Sequence, residues 1–102
     1  MAEQFDYQQL DELLHSRIRL AIMAVLVSVE EAEFTFLREK TGATDGNLSI
    51  HLKKLEEAGY VTARKRFVAK KPVSSYKLSR KGRKALGAHI ERLGALVQNG
   101  HL

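Results

Sequence analysis

Apolar residues along this chain fall at helical spacing in some stretches and at strand spacing in others, and the changes of period predict its elements. Phe5, Leu10, Leu13 and Leu14 recur at helical intervals over residues 4–14, a first amphipathic helix. Ser16 is placed to cap a second, because its hydroxyl can accept from open N–H groups two or three residues on. That helix, 17–27, is almost wholly apolar and should be buried on most sides. Residues 30–33 make a polar connection and Phe34 a brief strand position. Thr35 then caps a short helix, 36–41, with Phe36 and Leu37 turned inward. Gly42 ends it, where glycine relieves the left-handed conformation of a helix C-terminus. After the linker residues Ala43 and Thr44, Leu48, Leu52 and Leu55 recur at i, i+4 and i+7 and form one inward stripe. Thr44 or Asp45 caps this helix and Gly59 stops it. A short helix, a turn containing glycine and a second helix make a helix-turn-helix.

Beyond Gly59 the period becomes two: Val61, Ala63, Lys65 and Phe67 alternate with Thr62, Arg64 and Arg66. Residues 68–73, with the chain's only proline at Pro72, read as a loop tip, and 74–78 return as a second strand with Tyr76 and Leu78 on one face. A hairpin with a basic tip, directly after such a helix pair, is a wing. Ser79 caps a last helix over 80–98, on which Leu86, Ile90, Leu93 and Val97 form a heptad-like stripe with His89 and Leu96 beside it. The stripe is longer than the core of one small domain needs. It reads as a homodimer seam shared with Phe5, Leu10 and Leu13; the alternative is packing on its own chain. The expected class is α+β, mainly α: a single winged helix-turn-helix domain over 1–102, with a two-stranded β-wing. Segments 1–15 and 79–98 serve as dimerisation elements.

Composition narrows the function. With 102 residues, 44% of them hydrophobic and 28% charged, the chain makes one domain with a modest core. The absence of cysteine excludes disulfides, thiolate metal sites and thiol redox chemistry. His15, His51, His89 and His101 are scattered, so neither metal nor cofactor is expected. The apolar run over 20–29 is about half of what a bilayer requires. The acidic, polar start MAEQFDYQQLDE does not read as a secretory signal. Cytoplasmic residence without a membrane partner is the expectation.

The net charge of +5 is unevenly spread. No acid stands between Glu57 and Glu91, an interval that holds Arg64, Lys65, Arg66, Lys70, Lys71, Lys77, Arg80, Lys81, Arg83 and Lys84, whereas the N-terminal third leans acidic. So long a one-sign block implies a polyanionic partner. No basic amphipathic helix with large apolar anchors accompanies it, which favours nucleic acid over lipid headgroups. The cations in the first turn of the last helix oppose its dipole; a nearby phosphate backbone would account for them.

The outer face of the 45–55 helix carries the candidate chemistry. Gly46, Ile50 and Lys53 point away from the leucine stripe, Asn47, Ser49 and Lys54 flank them, and His51 sits on the shoulder. Gly46 costs helix stability, about 1 kcal/mol in an interior position and less in a first turn, but it lets another surface come close. In a DNA major groove, amides and hydroxyls read base edges, an aliphatic group meets a thymine methyl and lysines reach guanine or phosphate. Asn47, Ser49, Ile50 and Lys53 are therefore assigned to base edges. His51, Lys54, Arg17, Arg19 and the wing cations are assigned to phosphate. An enzyme is not expected, since the chain has no Gly-rich phosphate loop, nucleophile–base pair or metal spacing. The competing reading is a winged-helix module for protein or RNA.

The run RIRLAIMAVLVSVEEAEFTFLREKTGATDGNLSIHLKKLEEAGYVTARKRF, followed after the wing by SSYKLSRKGRKAL, resembles small winged-helix transcriptional regulators related to the MarR and ArsR groups. The resemblance covers residues 17–86. It implies a dimer that binds operator double-stranded DNA, usually as a repressor, with the recognition helix in the major groove and the wing on flanking backbone or minor groove. Carried over by position, the DNA-binding residues are Thr44, Asp45, Gly46, Asn47, Ser49, His51 and Lys54 on the helix. On the wing they are Arg64, Lys65, Arg66, Lys70 and Lys71. The chain departs from the metal sensors of these groups in lacking cysteine pairs and Asp/His clusters. It also has little length left for the longer terminal helices that form an effector pocket, so no effector ligand is assigned.

Overall fold

A computed structural model of the chain describes residues 12–14 and 16–98. Glu12–Leu14 form a single 3-10 turn; the remainder of the expected first helix, Phe5 and Leu10 included, lies outside the described residues. Helix α1, Arg17–Val27, starts on Ser16, whose extended backbone lets its hydroxyl accept from the Arg19 N–H. Ile22, Met23 and Leu26 are fully buried. Among its residues Arg17, Ala24 and Val27 are exposed and the rest are buried or half-buried, so α1 is covered on most sides, as its composition suggested. The Glu12–Leu14 turn, the three later helices and the second strand of the hairpin all pack against it.

Strand β1 is Ala32–Glu33, one step before the strand position expected at Phe34, and helix α2 runs Phe34–Thr41. Pairing with the hairpin holds Glu33 extended at the N-cap position, with no side-chain cap. Thr35 therefore lies inside the first turn and does not cap. Phe34 and Leu37, three apart, share the inward side. Phe36, two residues from Phe34, is turned away from the core and exposed, with the Lys40 ammonium 5.5 Å from its ring centre. Gly42 ends α2 in the left-handed region at φ 70°, as its position predicted.

Helix α3, Asp45–Glu57, begins on Thr44, whose hydroxyl accepts from the Asn47 N–H at 3.2 Å. Leu48, Leu52 and Leu55 are buried. The helix closes in a Schellman arrangement: Gly59, at φ 81°, donates to the Glu56 carbonyl and Tyr60 to the Leu55 carbonyl. Strands β2, Val61–Val68, and β3, Lys71–Leu78, pair antiparallel from Val61↔Leu78 to Val68↔Lys71. The sheet order β1-β3-β2 adds a third strand to the expected two-stranded wing. The loop expected over 68–73 is a two-residue turn, because pairing continues to the tip. Ala69 and Lys70 both adopt the left-handed conformation, at φ 52° and 67°, as a type I′ turn requires.

Helix α4, Arg80–Gln98, begins after Ser79. The Ser79 hydroxyl accepts from the Gly82 N–H at 2.9 Å and donates to the Gly59 carbonyl at 2.6 Å, while its backbone N–H donates to the Tyr60 carbonyl at 2.9 Å. The start of α4 is thus bonded to the turn that ends α3. Leu86 joins the core formed by α1, α2, α3 and the sheet.

Candidate nucleic-acid interface

The leucine stripe fixes which way α3 faces. With Leu48, Leu52 and Leu55 seated in the core, Asp45, Gly46, Asn47, Ser49, Ile50, Lys53 and Lys54 are all exposed, as is the cap Thr44. Ile50 is 53% exposed on that face, an aliphatic side chain outside the core cluster. A Cβ at Gly46 would meet nothing within 4 Å. Its lack of a side chain answers no crowding inside the protein, so it leaves room for an outside surface.

The helix-turn-helix is braced by polar contacts. Arg38 near the end of α2 donates to Asp45 in the first turn of α3 at 2.9 Å, beside the positive end of the α3 dipole, where an acid is favoured. Asp45 is thus engaged with the partner helix. On the shoulder of α3, the Arg19 guanidinium donates from Nη1 to His51 Nδ1 at 3.2 Å and from Nε to the Leu13 carbonyl. Arginine has no acceptor to offer, so Nδ1 must be the unprotonated nitrogen and the proton sits on Nε2. Burial, then the Arg19 charge, then that of Lys54 hold the His51 pKa below the ordinary imidazole value of 6.5. We expect NMR titration to place His51 under that value and Arg19→Ala to move it back up. The unfolded chain takes up this proton first as pH falls. His51 therefore supports stability fully above pH 6.5 and loses that contribution as the pH drops through its folded value. His51→Gln should flatten this part of the stability profile, and an unchanged profile would count against the Arg19 contact.

The wing cations divide into two sets. Arg64 pairs with Glu31 at 3.0 Å and Arg66 with Glu33 at 3.4 Å, so both arginines lie over the β1 side of the sheet. In register, Arg64 lies opposite Ser75 and Ser75 opposite Glu33. Lys65, Lys70 and Lys71 are exposed and make no ion pair within the described residues. Sequence reasoning missed the Glu31 and Glu33 partners. The shared two-residue spacing of the acids and the arginines would have suggested them, had the strand been placed at Ala32–Glu33. In the first turn of α4, Lys81 lies over the Tyr60 ring at 5.7 Å, a local partner for one cation of that cluster; Arg80, Arg83 and Lys84 are exposed.

Of the residues assigned to a dimer seam, Leu86 is buried in its own chain's core and Leu13 is half-buried against it. Ile90 and Val97 are 57% and 58% exposed, Leu93 is half-buried and His89 is buried. Among the described residues no helix is long and apolar enough to cross a membrane, and no cluster of His, Asp or Glu could hold a metal ion.

A helix-turn-helix with its second helix bared to the outside, followed by a hairpin and a closing helix, defines a small winged-helix transcriptional regulator. The chain belongs to the winged helix DNA-binding domain family, which it matches over residues 18–97. It is 39% identical over 88 residues to an uncharacterized protein of Methanocaldococcus jannaschii, spanning 86% of this chain and 96% of that protein. Among solved structures, a transcriptional regulator homologue from Pyrococcus horikoshii OT3 superposes with a TM-score of 0.86 at 25% identity, over 100% of each chain. A MarR-family transcriptional regulator from Silicibacter pomeroyi shares the fold, with a TM-score of 0.68 at 19% identity over 88% of this chain and 60% of that one. These similarities agree with the class and family read from TDGNLSIHLKKLEEAGYV and the segment after the wing.

Proposed function

We propose that two copies of the chain pair through the α4 stripe beyond Leu86, the exposed Ile90 and Val97 with the half-buried Leu93 between them, and bind a roughly palindromic operator as a repressor. The two α3 helices enter successive major grooves about 34 Å apart. Asn47, Ser49, Ile50 and Lys53 meet base edges. Lys54, the Nε2–H of His51 and the wing lysines meet phosphate. The observation that carries this reading is the outer face of α3: uncovered by its own chain, almost free of acid, and opened by a glycine the fold does not need.

In-vitro selection from random duplexes should return one motif with twofold symmetry, and half-site spacing should follow from it. On that motif Asn47→Ala should relax preference at one or two base pairs by roughly 1–3 kcal/mol. Lys54→Ala should instead weaken all sequences alike and lower the salt slope by about one unit. Identical behaviour of the two variants across the library would refute this division of roles. Preference for duplex RNA or single strands at equal salt would replace DNA with RNA as the partner.

A further inference from the structure

We infer that the wing tip is a wedge: Phe67 enters the minor groove beside the major-groove site and unstacks a base step, bending the duplex. The inference rests on the DNA-binding reading above and adds to it a contact made by an apolar side chain rather than by the wing cations.

Phe67 is 78% exposed, well beyond the other exposed apolar side chains of the described residues, and Val68 next to it is 51% exposed. On β2 it has the parity of Val61, Ala63 and Lys65, the strand face that begins in the core, but it stands past the core's edge, opposite Pro72 in the register. The tip beyond is as narrow as a hairpin allows. Ala69 and Lys70 close it in two left-handed residues, although neither is the glycine or asparagine that adopts this conformation readily. The strain is tolerated at a position where it keeps the tip thin, with Phe67 one residue pair short of the turn.

Charge selects the occupant. Lys65 lies on the same face as Phe67, Lys70 in the turn and Lys71 just after it, and none is neutralised by an acid among the described residues; Arg64 and Arg66, on the other face, are occupied by Glu31 and Glu33. One free cation, Lys65, thus shares the face of the aromatic ring, while Lys70 and Lys71 stand at the tip beside it, Lys71 on the face of its partner Val68. A second copy docking tip to tip would bring these lysines against their own copies, whereas a polyanion satisfies them. The minor groove is about 6 Å wide, too narrow for a two-stranded ribbon but open to one ring standing off the ribbon's face, one residue pair short of the turn. Apolar wedges of this type open base steps and bend DNA by roughly 20–90°.

The test uses the full chain and a duplex recovered by selection, with 2-aminopurine placed in turn at the steps flanking the α3 site. Wild type should raise the fluorescence several-fold at one step and shift mobility in a circular-permutation assay. Phe67→Ala should lose both signals and bind roughly ten- to a hundredfold more weakly, the worth of one aromatic–base contact. Its salt slope should stay unchanged, and Phe67→Trp should keep the bend. Because Phe67 is exposed, the alanine variant should unfold at the wild-type temperature. If wild type binds the duplex tightly but no step brightens and Phe67→Ala matches it, the wedge is overturned while DNA binding stands. If neither protein binds duplex DNA, the functional reading falls and the wedge with it. Loss of self-association, or of flotation with anionic vesicles, in Phe67→Ala without any change at the DNA overturns the wedge in favour of a second copy or a lipid surface.

Discussion

Replacing Gly82 with alanine should remove about 3 kcal/mol of folding stability, the upper end of what overpacking costs. A Cβ built there would stand 2.1 Å from the Tyr60 carbonyl oxygen, 2.9 Å from its carbon and 3.0 Å from Leu78 Cδ1. Two of the three obstacles are backbone, so no rotamer change relieves them. The Tyr60 carbonyl is also held in place by the Ser79 N–H. Either α4 moves off the α3–β2 turn or the turn opens, and both break the Ser79 bonds. For a domain near 100 residues each kcal/mol moves the melting temperature by roughly 4–8 °C, so a fall of more than 10 °C is expected in a circular-dichroism melt. Gly87 is the control. It lies farther along α4 with nothing within 4 Å of its Cβ position, and Gly87→Ala should stabilise by up to about 1 kcal/mol through helix propensity. Equal behaviour of the two variants would show that α4 does not approach the turn this closely.

The largest functional effect is expected from Ile50→Glu. Ile50 is half exposed and lies outside the core cluster, so the melt should change little. In the complex the new carboxylate would be buried against the duplex, without a partner and among phosphates. An uncompensated charge in such a place costs roughly 3–5 kcal/mol, which is on the order of a hundred- to several-thousandfold in affinity. Gel shifts on the selected duplex check it. A loss below tenfold would mean that the centre of the α3 outer face does not enter the groove.

The helix-turn-helix was legible because its signals are local. Thr44 and Gly42 mark the ends of adjacent helices, and the leucine stripe determines which residues of α3 are left outside. The start of α2 was less so. Thr35 has the chemistry of a cap, but the pairing of Ala32 with Tyr76 and of Glu33 with Ser75, more than forty residues away, sets where the helix can begin. The same non-local strand determines which wing arginines are occupied. The hairpin turn was misjudged for a different reason. Ala69 and Lys70 carry none of the residues that announce a two-residue turn, and the strain they accept is visible only in their dihedrals. Gly82 gave no sign in the sequence either, since a close approach between elements has no pattern along one of them.

The junction at Ser79 has a mechanical consequence. One hydroxyl bonds the end of the recognition helix to the beginning of α4, and a backbone bond beside it doubles the attachment. The end of α3 and the start of α4 are therefore tied into one unit, and Leu86 of α4 is seated in the same core as Leu48, Leu52 and Leu55 of α3. Were two copies to pair through α4 as proposed, the angle at which their α4 helices cross would carry over to the separation of the two α3 helices, without any change in a residue that touches a base.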